Sequence, residues 1–423
     1  MKRLNLTACF VLFALCQTVF GQSGKAHKID ALVNSFVQAG QFSGVALASE
    51  DGKVIYEKGF GLANADYKIP NRPDTRIGIA SITKPMTKII LVRLAESGKI
   101  ALADKLSKFI PDFPNGDKIT IEMLARHRSG ILHRVMPDEQ ESVSYTSAEF
   151  IEKVKQSKLA FEPGAQSLYS SGGYAVLARC LEIASGKSYA QLLQEYVFAP
   201  ADMRDSLDFN GETIMERRAQ DYLLDANGYI NAPLKDYSFL VGAGSVFSTA
   251  PDLHKFGLAV LDGKYGAGAK ASLIGANNFS SNGSTNGHRS YLEIENNKKY
   301  GYVLLSNLGS GAFDLISQGI REIMQGKEVT VKSVTPPKIV PDANKDLAAF
   351  LGKYRRSDGG GQFDLRLRNG NLYAGDIKLF SVKPDCFFEY KFFGEACFIR
   401  ADGGNIKEIK WKGPGFDLLW VKQ

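Results

Sequence analysis

Between Lys327 and Asp346 the chain becomes rich in lysine, valine and proline, with Pro336, Pro337 and Pro341. Proline lacks a backbone N–H and fixes φ, so neither a helix nor a central strand runs through such a stretch. It reads as an extended linker and divides the chain into a large unit and a small one. The length of 423 residues agrees with that division, because single hydrophobic cores stop growing at roughly 250–300 residues. With 44% apolar residues and 11% aromatic ones, the chain has enough to bury, and disorder is excluded for most of it.

The expected order is a signal segment over 1–21, a large domain over 22–327, the linker over 328–345 and a small all-β domain over 346–423. Lys2 and Arg3 give the positive start, Leu6 to Phe20 an apolar run and Val19-Phe20-Gly21 a small-residue cleavage site. The run is shorter than the ~20 residues of a spanning helix, so no transmembrane anchor is expected after cleavage near Gln22. Leu6-Thr7-Ala8-Cys9 is like a lipoprotein box but lies too early to serve as one. The expected location is periplasmic or extracellular. Loss of Lys2 and Arg3 takes the net charge from +7 to +5, a mild bias. No basic cluster with interleaved aromatics argues for nucleic acid. Cys9 and Cys16 leave with the signal, so Cys180, Cys386 and Cys397 allow one bridge at most; a Cys386–Cys397 pair and two buried thiols both remain open.

In the large domain, Ser43 to Ser49 and Lys53 to Phe60 read as a strand pair around the turn Glu50-Asp51-Gly52. Helical spacing follows in Ile89, Ile90, Val92, Leu94 and Ala95, ending at Gly98, and again from Tyr174 to Ala184, ending at Gly186. Strand patterns return at Ser290 to Glu295 and Tyr300 to Ser306. Strands therefore open and close the domain, with helices inserted between. Beyond the linker, Phe363, Leu365 and Leu367 alternate with polar residues, Asn369-Gly370 signals a hairpin, and Ile409 and Trp411 share a strand face.

The chemistry centres on Ser81-Ile82-Thr83-Lys84, with Pro85 where the first turn of a helix tolerates proline. Residues three apart on a helix share a face, so the Ser81 hydroxyl and the Lys84 amine can meet, and the helix N-terminus favours developing negative charge. A serine hydroxyl is a poor nucleophile at neutral pH. A neutral amine can take its proton, provided burial or a nearby cation lowers the lysine pKa. By itself the motif does not separate this role from an N-cap serine followed by a solvated lysine, since a chain of this length holds roughly one or two such motifs by chance.

The surrounding stretch Arg76-Ile77-Gly78-Ile79-Ala80-Ser81-Ile82-Thr83-Lys84 resembles the nucleophile segment of the serine β-lactamase and penicillin-binding-protein family, in its class C and esterase-like branch. Four more segments match that branch in order: Glu122 to Ile131, with His127 and Ser129-Gly130; Phe161-Glu162-Pro163-Gly164 followed by Tyr169-Ser170-Ser171; Gly242-Ala243-Gly244 through Leu253; and Ser281-Asn282-Gly283-Ser284-Thr285-Asn286-Gly287. The resemblance spans about residues 30 to 325. It implies an α/β (α+β) β-lactamase/transpeptidase-like fold, an antiparallel sheet flanked by helices with an inserted helical subdomain. Leu351-Gly352-Lys353-Tyr354 onward resembles the small lipocalin-like domain often appended to such hydrolases.

What the resemblance implies is acyl-enzyme chemistry. Ser81 attacks a carbonyl, Lys84 and Tyr169 share the proton work, and the backbone N–H groups of Ser81 and Ser284 hold the oxyanion. Ser171, Ser281, Gly283 and Ser284 are the substrate and oxyanion residues. No cofactor or metal is called for, and the partner is a small-molecule or peptide substrate, including cell-wall material. Two positions depart from the family: Ser171 replaces an asparagine, and Ser281 a lysine or histidine. Serine keeps a hydroxyl but brings no charge, which disfavours substrate-carboxylate recognition of the β-lactam kind. Arg289 is expected to be a solvated residue at a strand start. An ester or D-peptide substrate is expected ahead of a β-lactam, and a binding or sensor protein with little turnover is the alternative reading. An α/β-hydrolase triad lacks its Gly-x-Ser-x-Gly elbow. His27, His127, His133, His254 and His288 make no metal-hydrolase pattern.

Overall fold

The computed structural model describes residues 24–209 and 211–423. The expected signal segment, with Cys9 and Cys16, lies outside the described residues. A helix over 24–38 (α1) leads into two strands, β1 (Gly44–Glu50) and β2 (Lys53–Phe60). Asp51 and Gly52 both take positive φ in the turn between them. Later come β3 (Asn278–Ser284), β4 (Arg289–Glu295) and β5 (Tyr300–Ser306), which complete an antiparallel sheet in the order β3-β4-β5-β1-β2. The strands that close the domain thus pair with the strands that open it: Gly44 faces Ser306 and Glu50 faces Tyr300.

Both faces of this sheet are covered. Along β1, Val45 and Leu47 point to one face and Ala46 and Ala48 to the other, and all four are buried, as the twofold side-chain period of a strand requires. Val45 and Leu47 join the core with α2 (Thr83–Glu96), α3 (Ser171–Ser185) and α4 (Ala250–Leu261). Ala46 and Ala48 join the second core, with α1 and α5 (Ala312–Met324). The sequence places α3 well, because Ser170 caps it by accepting the Gly173 N–H at 2.8 Å, and Gly186 ends it at φ +70°.

The C-terminal unit is a closed barrel of eight antiparallel strands: β6 (Gly352–Arg356), β7 (Gln362–Arg368), β8 (Asn371–Ala374), β9 (Ile377–Lys383), β10 (Cys386–Glu389), β11 (Gly394–Arg400), β12 (Ile406–Gly413) and β13 (Phe416–Lys422). Asn369 and Gly370 both take positive φ between β7 and β8, as a two-residue type I′ hairpin demands. Ile409 and Trp411 are buried together; Leu367, expected to point inward, is instead exposed at the end of its strand. Cys386 and Cys397 are directly paired across β10 and β11 and form a disulfide, while Cys180 is a buried free thiol.

The proline-rich stretch carries neither helix nor strand from 325 to 340. It is nonetheless pinned down. The Val334 N–H donates to Gln41 Oε1 at 3.2 Å, the Gln41 amide donates back to the Val334 carbonyl, and Val331, Val334 and Ile339 pack on the second core. Val382, Phe388, Tyr390 and Phe393 of the barrel join that same core, so the barrel and the large domain share buried apolar surface. Among the described residues no helix is long and apolar enough to cross a membrane.

Candidate active site

Ser81 sits in a single 3₁₀ turn, Ala80–Ile82, that runs directly into α2. Ala80, the residue before it, has φ +47°, a left-handed conformation that costs a non-glycine residue about 1–3 kcal/mol and persists only where the surroundings impose it. Those surroundings are visible. The Ile79 N–H donates to the Val246 carbonyl at 3.0 Å, and the Ile79 carbonyl accepts from Ser290 Oγ at 2.7 Å. On the third side, a Cβ at Gly283 would lie 2.2 Å from the Ile79 carbonyl oxygen and 2.8 Å from the Ser81 nitrogen. Strand β3 therefore runs against the backbone of Ser81, and only glycine fits at the crossing.

Lys84 points back along α2 at Ser81. Its Nζ donates to Ser81 Oγ at 3.1 Å, to Ser171 Oγ at 3.2 Å and to the Ala243 carbonyl at 2.8 Å. It is 4% exposed, with no carboxylate among these partners. Burial lowers its pKa from 10.5 to about 7, because the low-dielectric surroundings disfavour the ammonium. The Ala243 carbonyl is presented by a turn in which Gly242 has φ +72°, and a Cβ there would lie 2.6 Å from that of Ala178.

Tyr169 completes the group. Its hydroxyl donates to Ser81 Oγ at 2.8 Å, and the Lys84 Nζ lies 4.7 Å from its ring centroid. Burial raises its pKa, partly offset by the bond to Ser81, so the phenol stays protonated at neutral pH. The side chain reaches this place because two loops pair backbone to backbone: Ala160, Gly164 and Leu168 N–H groups donate to the carbonyls of Gly130, Arg128 and His127 at 2.8 to 2.9 Å. The two matched segments are one structural piece.

Five of the seven expected site residues thus converge: Ser81, Lys84, Tyr169 and Ser171 through hydrogen bonds, and Gly283 through close backbone approach. Ser284 lines both clefts that open beside Ser81. Ser281 does not join them. It is part-buried on β3 and lines neither cleft, whereas Asn282 and Ser284, which alternate with it, do line the clefts. Arg289 corrects another expectation. It is not a solvated residue: its guanidinium pairs with Asp314 at 2.7 Å, lies 4.9 Å from the Phe313 ring centroid and lines the wider cleft.

The family model described as Beta-lactamase matches residues 29–322. The chain belongs to the beta-lactamase family. Within it, the putative penicillin-binding protein PbpX of Bacillus subtilis (strain 168) is 29% identical over 232 residues, covering 55% of this chain and 58% of PbpX. The teichoic acid D-alanine hydrolase of Staphylococcus aureus is 27% identical over 227 residues, covering 53% and 55%. The chain thus spans little more than half the length of these curated relatives. Among solved structures, D-amino acid amidase from Ochrobactrum anthropi SV3 is similar with a TM-score of 0.63 at 21% identity, over 71% of this chain and 99% of the amidase. The octameric penicillin-binding protein homologue from Pyrococcus abyssi gives 0.61 at 21% identity, over 93% and 99%. At such identities the likeness is one of fold, and it agrees with the β-lactamase/transpeptidase-like architecture expected from the sequence.

Two histidines of this beta-lactamase-family site had no role assigned from the sequence. Nδ1 of His127 accepts the Ser170 N–H at 3.1 Å, and Nδ1 of His133 accepts the Ser171 N–H at 3.2 Å. Both rings lie against Tyr169, with centroids 4.7 and 5.4 Å away. Burial, reinforced by Lys84, lowers both pKa values, that of His127 to about 4. They are neutral at pH 7 and hold the Tyr169–Ser171 turn as acceptors. His127 stood inside a matched segment, a usable signal; His133 stood outside every segment.

Proposed function

We propose that this chain is an exported serine hydrolase that cleaves esters or amides of small acids through an acyl-enzyme on Ser81. The observation that carries the reading is the Lys84 amine, buried with no carboxylate partner among the described residues and 3.1 Å from Ser81 Oγ. With its pKa lowered to about 7, a large share of Lys84 is neutral at neutral pH, and its lone pair takes the Ser81 proton as Oγ attacks the carbonyl. Tyr169, still protonated and 2.8 Å from the same oxygen, delivers a proton to the departing oxygen or nitrogen. Backbone N–H groups of Ser81 and Ser284 receive the charge on the carbonyl oxygen. Water then attacks the ester on Ser81, giving one proton back to the Tyr169 oxygen, and the Lys84 ammonium returns its proton to Ser81 Oγ as the acid is released.

The substrate class follows from what lies around Ser81 and from the relatives. Ser281 brings no cation, and the two arginines that line the wider cleft, Arg289 and Arg321, are already paired with Asp314 and Glu293, which favours esters and D-aminoacyl derivatives over β-lactams. The names of the relatives, a teichoic acid D-alanine hydrolase and a D-amino acid amidase, support the same choice. Export is supported by the N-terminal sequence and by the Cys386–Cys397 disulfide, which persists in oxidising compartments. Ser171, the other departure from the family pattern, still contacts Lys84 at 3.2 Å, which argues against the binding-protein alternative.

The test is a panel of p-nitrophenyl acetate, a D-alanyl amide and a cephalosporin, assayed with the native chain and Ser81→Ala. Turnover of the ester or amide that vanishes in Ser81→Ala is expected. Cephalosporin hydrolysis with negligible ester and amide turnover would overturn the substrate choice.

A further inference from the structure

Two clefts leave Ser81 in different directions. One, of about 650 Å³, runs past Tyr169 and Asn282. The other, of about 260 Å³, is lined by His133, Phe239 and the Glu141–Lys235 ion pair, and also by two residues of the C-terminal barrel, Asp376 and Lys391. Asp376 lies in the turn between β8 and β9, and Lys391 in the turn between β10 and β11; their side chains form an ion pair at 3.0 Å.

The turn that carries Lys391 is held firmly. The carboxylate of Glu389, fully buried, accepts the N–H groups of Phe392 at 2.9 Å and Gly394 at 2.8 Å. The Gly311 N–H donates to the Tyr390 carbonyl at 3.2 Å, and a Cβ at Gly311 would lie 2.8 Å from the Phe392 carbonyl carbon. The barrel turn and the start of α5 therefore meet backbone to backbone. Lys378 adds a contact from β9 to Asp225 at 3.5 Å. Rigid placement of this kind is what a side chain needs in order to shape a site.

We propose that the barrel completes the active site, with the Asp376–Lys391 pair as the specificity-determining end wall of the acyl cleft, admitting short acyl groups with a polar end and rejecting long alkyl chains. The inference rests on the acyl-enzyme reading above. The smaller cleft is assigned to the acyl group because that group stays on Ser81 between the two half-reactions, while the wider cleft gives the leaving group its exit. An alkyl chain pressed against the pair strips water from two charges and returns no hydrogen bond. A polar acyl terminus replaces the displaced water with hydrogen bonds of its own.

The experiment measures kcat/KM for p-nitrophenyl esters from acetyl to octanoyl with the full chain, the double variant Asp376→Ala/Lys391→Ala, and Lys391→Met, which keeps the apolar stem. Asp376 is exposed and Lys391 part-exposed, so the barrel is expected to fold in each. In the native chain the octanoyl-to-acetyl ratio is expected to be below about one tenth, and in the double variant to rise about tenfold, with Lys391→Met in between. A ratio that stays within about twofold of native in both variants overturns the inference and leaves the acyl-enzyme reading standing. Absence of Ser81-dependent p-nitrophenol release from any ester overturns that reading and the inference with it.

Discussion

Replacing Lys84 by methionine separates what the amine does for chemistry from what it does to stability. Holding a lysine at about 7 in place of 10.5 corresponds to roughly 5 kcal/mol, at about 1.4 kcal/mol per pH unit. The unfolded chain keeps the proton up to 10.5 and the folded chain only up to about 7. The destabilisation is therefore complete below about pH 7 and declines as pH rises toward 10.5, because in that window the unfolded state binds more protons. Methionine removes this destabilisation, but it also removes three hydrogen bonds from Nζ, worth about 1 kcal/mol each. The net expectation for Lys84→Met is a gain of roughly 2 kcal/mol at pH 6. By pH 9 only about 2 of the 5 kcal/mol remain, and the gain disappears. Urea denaturation at the two pH values reads this, while the p-nitrophenol burst reads acylation, expected to fall by about 10²- to 10⁴-fold. A variant less stable than native at pH 6, or one that acylates at the native rate, would refute the reasoning.

Other expectations follow from the same geometry. Native acylation should rise with pH through about 7 as Lys84 deprotonates, and a stopped-flow profile flat from pH 5.5 to 8.5 would contradict that assignment. Tyr169→Phe keeps the ring against His127 and His133 but loses the bond to Ser81; acylation is expected to drop about 10²-fold, with an unchanged melting temperature. Gly283→Ala places a methyl group 2.2 Å from the Ile79 carbonyl oxygen, so β3 must move away from Ser81, and ester turnover is expected to be lost in a protein whose circular dichroism stays native. Reducing Cys386–Cys397, which closes an 11-residue separation, should lower the stability of the barrel by about 3 kcal/mol, measured by denaturation with and without reductant.

Much of the large domain was legible because its signals are local. Caps and stops such as Ser170, Gly186 and the Asp51-Gly52 turn mark their elements in one dimension, and the short, mainly apolar runs of β1 and β5 mark strands that are buried on both faces. The candidate site was legible through ordered segments, and the structure supplies the reason for their order: Tyr169 and Ser171, the Ala243 carbonyl and the Gly283 crossing each meet Ser81 or Lys84, while the segment of His127 holds the Ser170 N–H beside them. What was not legible depends on partners far away in the chain. Arg289 looked solvated because Asp314 and Phe313 come from α5. His133 gains a role only when its ring meets Tyr169 and the Ser171 N–H. The reach of Asp376 and Lys391 to the cleft depends on how the barrel docks at Gly311, which no pattern within residues 346–423 encodes. The alternation at Leu367 misled for the opposite reason, since its strand runs past the barrel core into solvent.

The central claim is that Ser81 is a nucleophile activated within this fold. Intact-protein mass spectrometry after incubation with a fluorophosphonate, comparing native chain with Ser81→Ala, tests it most directly. One adduct on the native chain, mapped by peptide digestion to Ser81 and absent from Ser81→Ala, is the predicted result. A folded native chain that takes up no probe, or Ser81→Ala labelled as readily as native, would contradict the account.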